Sequence, residues 1–346
     1  MTPRLRFLVF GCGAIGTYLG GSLAASGQQV VFLERASVAP AIREQGLRVQ
    51  TRSVELRVAS PTLVENIQQA LELERYDAAI LAVKSFDTLE LLQSVRAVAD
   101  RLPPLICFQN GVENEPLIAD FLGEKRVIYG TVTTAIGRRG LGNVVVEKLR
   151  GIGVANSQER VPGLLDALNQ AGLRAQSYSN GPAMKWSKML TNLQANSSSA
   201  ILDLTPGEIF AHPGLFRLEM RMLREALLVM RAQGIPVVDL PRTPVRAFTA
   251  LVQAPAVLSQ PLLRRALGAG RGGKMPSFHI DLHQGRGRSE VDYLNGAVVR
   301  FGLRFGVPTP VNQFLNETLL ALSEGRLALE TYARRPEEFL KAAPSD

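Results

Sequence analysis

The sequence predicts an α/β protein with an N-terminal, doubly wound dinucleotide-binding domain and an all-α C-terminal domain. Three observations lead to this prediction. A glycine-rich turn follows the first apolar run and opens a helical pattern. Short apolar runs typical of strands then alternate with helical patterns through the first half of the chain. Beyond about residue 180, apolar residues recur at helical spacing instead.

The glycine-rich turn lies between the apolar run at residues 7–10 and a helical pattern that reaches Ala24. In such a turn the first glycine makes the tight bend, the second lets backbone N–H groups approach a pyrophosphate, and the third lets the helix pack closely on the strand. A second apolar run at residues 29–33 completes the spacing of a Rossmann-type domain. The residues that we therefore expect to bind the dinucleotide are Gly11, Cys12, Gly13, Ala14, Ile15 and Gly16.

Two residues after the second strand bear on the choice of cofactor. Glu34 stands where an acid would accept hydrogen bonds from the ribose hydroxyls of NAD. Arg35, the next residue, could instead pair with the 2′-phosphate of NADP. A surface ion pair between the two is a third interpretation, so these residues alone leave the choice open.

Two more polar residues follow strand-like runs: Lys84 after residues 78–83, and Asn110 after residues 104–108. Ligands of parallel sheets bind beyond the carboxyl ends of the strands, so we expect both residues near the cofactor. The alternative is that Lys84 caps a strand and Asn110 belongs to a turn. The remaining runs, which we expect to enlarge the same sheet, are residues 127–129, 144–146 and 152–154.

The predicted domains are residues 1–180 and 181–346, because Pro182 suits the first turn of a long helical pattern. That pattern carries Lys188, Asn192 and Asn196 at four-residue steps. Such steps stack side chains on one helix face, so we expect an ammonium group and two carboxamides to form one ladder. A solvated face, or asparagines bonded to nearby backbone, is the alternative.

A second polar cluster, residues 288–296, begins another helical pattern. Ser289 could cap this helix, Asp292 could close a capping box, and Glu290 suits the positive end of the helix dipole. Glycine inside a helix costs about 1 kcal/mol relative to alanine, so close packing is the expected reason for Asn295-Gly296.

Composition excludes several classes of protein. The 346 residues suit two domains, and no apolar run reaches the roughly 18 residues of a membrane span. Without a secretory-type leader and with cysteines only at two distant positions, the chain is expected in the cytoplasm. The net charge of +8 is dispersed and aromatic residues make up 6%, which favours an anionic small molecule over a nucleic acid. The apolar C-terminal helices could supply the surface of a homodimer.

No metal site is predicted from the sequence. His279 and His283 stand four residues apart and could share a helix face. Asp281 does not complete a set of metal ligands with them.

Together these residues resemble the ketopantoate reductase family, whose members are also called 2-dehydropantoate 2-reductases. The resemblance implies NADPH-dependent reduction of 2-dehydropantoate to (R)-pantoate, on the route to pantothenate and coenzyme A. The motifs that carry it, in chain order, are Gly11-x-Gly13-x-x-Gly16, Val83-Lys84, Asn110-Gly111, Lys188-x-x-x-Asn192-x-x-x-Asn196, Ser277 and Glu290-x-Asp292-Tyr293-x-Asn295-Gly296.

The resemblance also implies a role for each site residue. Lys188 is the general acid, and Glu290 is its partner at the substrate and contacts the cofactor. The implied substrate ligands, which would bind a small 2-oxo acid, are Asn110, Asn192, Asn196 and Ser277. The implied cofactor ligands outside the glycine loop are Arg35, which favours NADPH, together with Lys84 and Asn110.

Departures from the family pattern keep two alternatives open. Glu34 stands beside Arg35, Pro206 stands where a polar substrate ligand is expected, and the segment at residues 237–275 is long. An NAD(P)-dependent reductase of another 2-oxo acid would fit these differences. A non-catalytic dinucleotide sensor is the other alternative.

Overall fold

The computed structural model describes residues 4–155, 161–271, 275–285 and 287–345. The chain forms two compact units. The first comprises Met1–Lys185 and Asp239–Thr243, and the second comprises Trp186–Val238 and Pro244–Asp346. The division therefore falls a few residues beyond residue 180, and a short segment of the later half returns to the first unit.

The first unit alternates strands and helices. In chain order its strands are β1 (Arg6–Phe10), β2 (Gln29–Leu33), β3 (Leu47–Gln50), β4 (Glu55–Val58), β5 (Thr62–Val64), β6 (Ala78–Leu81), β7 (Leu105–Cys107), β8 (Val127–Val132), β9 (Ala135–Gly140), β10 (Asn143–Lys148), β11 (Ile152–Ala155) and β12 (Ala175–Ser177). Its helices are α1 (Ala14–Ala25), α2 (Ala39–Gln45), α3 (Ile67–Leu73), α4 (Thr88–Ser94), α5 (Asn114–Leu122) and α6 (Leu164–Gln170).

The main sheet has eight strands in the order β12-β11-β8-β7-β6-β1-β2-β5. Its pairs are parallel except for β11 with β8. Phe10, the last residue of β1, lies opposite both Leu33 of β2 and Leu81 of β6. The carboxyl ends of these strands therefore share one edge of the sheet, the edge at which dinucleotides bind in doubly wound folds. The predicted fold class of this unit is confirmed.

Both faces of the main sheet are buried. Phe7 and Val9 pack into one hydrophobic cluster, whereas Leu8 and Phe10 pack into the other. Successive side chains of a strand point to opposite faces, so the continuous apolar run of β1 supplies both cores.

A second sheet has four strands in the order β4-β3-β10-β9. The run at residues 144–146 lies in this sheet, so its predicted place in the main sheet was wrong. Val144 and Val146 are buried, whereas Val145 between them is only partly covered. The run turns back through Gly142, at φ 60°, and pairs with β9 and β3, so it covers a core with one face only.

The second unit is helical throughout its described residues, as predicted. Helix α7 (Gly181–Leu193) begins in the first unit and ends in the second. The helices that follow are α8 (Asn196–Leu202), α9 (Pro206–Ala211), α10 (Pro213–Ala232), α11 (Val245–Gln253), α12 (Ala256–Arg271), α13 (Ser277–His283), α14 (Val291–Phe305), α15 (Pro310–Ser323) and α16 (Pro336–Ala342). Within the described ranges of the chain, none of the helices is long and apolar enough to cross a membrane.

Buried polar groups link four helices of the second unit, α8, α10, α14 and α15. The carboxylate of Glu225 on α10 accepts the backbone N–H groups of Val311 and Asn312, each at 2.9 Å, where α15 begins. Asn295 donates through Nδ2 to Asn312 Oδ1 at 3.0 Å and accepts Ser197 Oγ at 2.7 Å. Asn295 is fully buried, so its place in the α14 pattern is explained by this network.

The returning segment Asp239–Thr243 is bonded to the first unit through backbone carbonyls. Thr133 Oγ1 donates to Pro241 O at 3.1 Å, and the Tyr178 hydroxyl donates to Asp239 O at 3.0 Å. Leu240 and Thr243 exchange backbone hydrogen bonds within the segment.

Candidate functional site

The glycine loop has the geometry of an anion site. Gly11 adopts φ 89°, and its N–H donates to Leu33 O at 3.0 Å. A Cβ added to Gly16 would lie 1.8 Å from Gly11 O, so only glycine allows the loop to pack this closely on α1. Around Gly13, the N-cap of α1, an added Cβ would meet no atom within 4 Å. Neither a side-chain cap nor an acidic residue occupies the start of α1, so its first N–H groups suit a pyrophosphate.

Glu34, which follows β2, contacts this loop. Its carboxylate accepts the backbone N–H of Cys12 at 2.7 Å and that of Arg35 at 2.9 Å. The Glu34 side chain is 10% exposed, whereas that of Arg35 is 85% exposed and its Nε lies 3.8 Å from the carboxylate. Burial, and then the charge of Glu34, raise the pKa of the Cys12 thiol, so the thiol stays protonated. The contact that Cys12 makes with Glu34 is through its backbone N–H.

Buried Gln109 joins the loops after β6 and β7. Its Nε2 donates to Val83 O at 3.0 Å, to Lys84 O at 3.2 Å and to Thr88 Oγ1 at 2.8 Å. The adjacent residue Asn110 is exposed, and the side chain of Lys84 is partly buried. Both candidate residues therefore lie at the same edge of the sheet as the glycine loop, and the side chain of Gln109 holds the two loops together.

A buried ion pair lies beneath this loop. Lys185 Nζ lies 2.7 Å from Glu115 Oε1 and donates to Gln109 O at 2.5 Å and to Gly130 O at 3.3 Å. The side chains of Lys185 and Glu115 are 3% and 0% exposed. Burial is the largest single effect and lowers the lysine pKa, but the effects of Glu115 and Cys107 together exceed it and raise the pKa. Sequence reasoning missed this pair, because only the fold brings residues 115 and 185 together.

Lys188 and Asn192, two of the predicted site residues, form a hydrogen-bonded pair in the second unit. Lys188 is partly buried on α7, and its Nζ donates to Asn192 Oδ1 one turn later. The carboxamide of Asn192 therefore fixes the direction of the ammonium group.

The predicted continuous ladder was wrong, because the helix breaks before Asn196. Helix α7 ends at Leu193, Ala195 adopts a left-handed φ of 51°, and Asn196 begins α8. Buried Glu219 on α10 stabilises the break by accepting Ala195 N at 2.8 Å and Ser198 Oγ at 2.5 Å. A contact from a distant helix thus overrides the local helical pattern.

Asn196 lies beside Ser277 instead. Asn196 Nδ2 lies 3.5 Å from Ser277 Oγ, and its Oδ1 accepts the Phe278 N–H at 3.1 Å. The structure therefore brings two of the predicted substrate ligands together at the starts of α8 and α13.

Glu290 is the buried N-cap residue of α14, 4% exposed, and its side chain does not cap the helix. The predicted capping box is absent: Ser289 Oγ accepts Val291 N at 3.2 Å, and Asp292 Oδ1 pairs with Arg300 Nη1 at 2.9 Å. A Cβ at Gly296 would lie 2.3 Å from Asp292 Oδ1, so close packing explains the glycine.

The Rossmann-type unit with this glycine loop defines a dinucleotide-binding protein. Family comparison specifies it further. Residues 7–158 match the model described as "Ketopantoate reductase PanE/ApbA", and residues 182–323 match that described as "Ketopantoate reductase PanE/ApbA C terminal". The chain belongs to the ketopantoate reductase family.

Two curated relatives carry the name 2-dehydropantoate 2-reductase. The protein from Streptococcus pyogenes serotype M3 is 26% identical over 324 residues, which cover 90% of this chain and 96% of the relative. The protein from Archaeoglobus fulgidus is 27% identical over 326 residues, which cover 92% and 97%.

Solved structures show the same fold. A PanE/ApbA family ketopantoate reductase from Ralstonia eutropha JMP134 superposes with a TM-score of 0.78 at 25% identity, covering 93% of this chain and 99% of the other. A D-mandelate dehydrogenase solved with NADH and anilino(oxo)acetate superposes with a TM-score of 0.77 at 23% identity, with the same coverage. The predicted family and two-domain fold class are thus confirmed.

Proposed function

We propose that this protein reduces 2-dehydropantoate to (R)-pantoate with NADPH, as a step of pantothenate biosynthesis, and that Lys188 is the general acid. The observation that carries the proposal is the Lys188–Asn192 pair, in which a partly buried ammonium group is held by a carboxamide in a chain of the ketopantoate reductase family. The substrate would be a small 2-oxo acid.

Reduction of a ketone builds negative charge on the carbonyl oxygen. When bound, the reduced nicotinamide supplies the hydride to the carbonyl carbon. The ammonium of Lys188 stabilises the developing oxyanion and donates a proton to it. The carboxamide of Asn192 orients the ammonium by accepting a hydrogen bond from it. Buried Glu290 is assigned as the partner of Lys188 at the substrate and as a contact of the cofactor.

The remaining candidate side chains bind rather than titrate. Asn196 and Ser277, which already lie 3.5 Å apart, would hold the substrate carboxylate or hydroxyl through an amide and a hydroxyl group. Asn110, exposed at the sheet edge, would contact both cofactor and substrate. Lys84, at the same edge, would contact the cofactor phosphates.

The different contacts of Glu34 and Arg35 favour NADPH as the cofactor. Glu34 already accepts two backbone N–H groups and fixes the glycine loop. The guanidinium of Arg35 is largely exposed and suits a 2′-phosphate, which an arginine binds through paired hydrogen bonds. An NAD(P)-dependent reductase of another 2-oxo acid is the second candidate, because Glu34 also stands where an acid would bind the ribose of NAD.

Steady-state oxidation of NADPH with 2-dehydropantoate and a panel of other 2-oxo acids tests the substrate. We expect the highest kcat/KM for 2-dehydropantoate. A higher value for another 2-oxo acid, such as an aromatic one, would instead support the second candidate.

The Arg35→Ala variant tests the cofactor. We expect its KM for NADPH to rise about tenfold to a hundredfold, because hydrogen bonds to a charged group contribute about 1.5–3 kcal/mol. Its KM for NADH should change little, since NADH has no 2′-phosphate. Arg139→Ala, which removes another exposed arginine, is the matched control. Equal effects on the two cofactors would rule out the assigned contact.

A further inference from the structure

A group of potential metal ligands lies where the end of α8 meets α13. Asp203 is the C-cap residue of α8, and His279 and His283 stand four residues apart on α13. One ligand atom from each of the three residues lies within 4.8 Å of those of the other two. Asp203, rather than Asp281, is therefore the carboxylate that groups with the two histidines as a potential metal ligand.

The three side chains are arranged around one point. His279 Nε2 lies 2.8 Å from Asp203 Oδ1, and the ring centroids of the two histidines are 4.1 Å apart. Ligand atoms around a tetrahedral Zn²⁺ ion, each about 2.0–2.2 Å from the metal, lie roughly 3.4 Å from one another. The separations here, 2.8 Å for one pair and no more than 4.8 Å for any pair, lie on either side of this spacing, and His283 is exposed.

The chemistry of the set selects the ion. Two imidazoles and one carboxylate are ligands that Zn²⁺ accepts, with a fourth position left for water. Metals bind neutral imidazole through a ring nitrogen, and each of the two histidines offers one such nitrogen to the group. A hard cation such as Mg²⁺ prefers an all-oxygen set, which these residues do not provide.

We propose that Asp203, His279 and His283 form a binding site for a first-row divalent metal ion, with Zn²⁺ as the preferred occupant. The ion would link the end of α8 to both turns of α13. Each of these helices begins with a candidate substrate ligand, Asn196 or Ser277, but the site itself uses none of the residues assigned to the reaction.

One charged neighbour weakens the site without occupying it. Arg334 Nε lies 3.7 Å from Asp203 Oδ2, the oxygen that does not face His279. The side chain of Arg334 is 65% exposed, so water screens much of its repulsion of a cation. Removing this charge should therefore strengthen metal binding, whereas removing a ligand should weaken it.

Titration of the metal-stripped full chain with Zn²⁺, followed by calorimetry, tests the proposal. We expect one Zn²⁺ per chain, a dissociation constant in the micromolar range, and a rise in unfolding temperature that grows with Zn²⁺ concentration. His283→Gln and Asp203→Asn should each weaken binding at least about tenfold. Asp203→Asn keeps the size of the side chain and suits the left-handed backbone at this position, φ 50°.

Two further variants distinguish this site from non-specific binding. Arg334→Gln should tighten Zn²⁺ binding by a few fold. His212→Gln should leave it unchanged, because His212 pairs with Glu337 at 3.1 Å and lies outside the group of three. Absence of stoichiometric Zn²⁺ binding by the wild-type chain would overturn the proposal. So would a loss of affinity in His212→Gln equal to that in His283→Gln, with circular dichroism showing that both variants are folded.

Discussion

Replacing Lys188 with alanine is expected to lower kcat for 2-oxo acid reduction by about 10³-fold, within the roughly 10²–10⁴-fold range of general acid catalysis. The variant loses the only group that we assign to protonate the developing oxyanion. Binding of NADPH should be nearly unchanged, because the glycine loop and Arg35 lie in the other unit. Stopped-flow turnover and quenching of protein fluorescence by NADPH measure the two effects separately.

Lys341→Ala is the matched control, since Lys341 is exposed on α16. It should leave kcat unaltered. Turnover by Lys188→Ala at the wild-type rate would remove Lys188 from the mechanism. If the wild-type chain also binds NADPH but reduces no 2-oxo acid, the protein is better explained as a dinucleotide sensor.

Lys185→Met should destabilise the first unit by about 3–5 kcal/mol, because it leaves the carboxylate of Glu115 buried without its partner. The lysine pKa is raised in the folded state, so its stabilising contribution is complete below the unfolded pKa and is lost only as pH rises through the folded value. Urea unfolding at pH 7 should therefore show the full loss.

Two variants separate the ion pair from a general effect of losing a lysine. Lys148→Met, at an exposed position of β10, should change the unfolding midpoint little. Replacing both partners, with Lys185→Met and Glu115→Gln, should recover part of the lost stability, because no charge is then left buried. If Lys185→Met is as stable as Lys148→Met, the buried pair does not stabilise the fold.

The features predicted well from the sequence are those set by neighbouring residues. β2 spans residues 29–33, as predicted, and α1 follows the glycine loop because the turn, the apolar run and the helical pattern are adjacent in the chain. Gly16 and Gly296 were both explained by close packing, and the structure supplies the contacting atoms.

The features that the sequence could not predict depend on distant partners. Glu219, which lies on α10, stabilises the helix break before Asn196. Four-residue spacing alone therefore could not predict the position of that asparagine. Asp203 meets His279 across 76 residues of chain. Lys185 reads as an ordinary surface lysine until the fold buries it against Glu115.

The return of Asp239–Thr243 to the first unit limits how the gene can be recombined. Thr133 and Tyr178 hydrogen-bond to carbonyl oxygens that are encoded some 60 to 110 codons downstream, at Asp239 and Pro241. A chimera with a single crossover near residue 180 would therefore combine the first unit of one parent with the returning segment of the other. Exchange of an intact first unit between relatives requires two further crossovers around this segment.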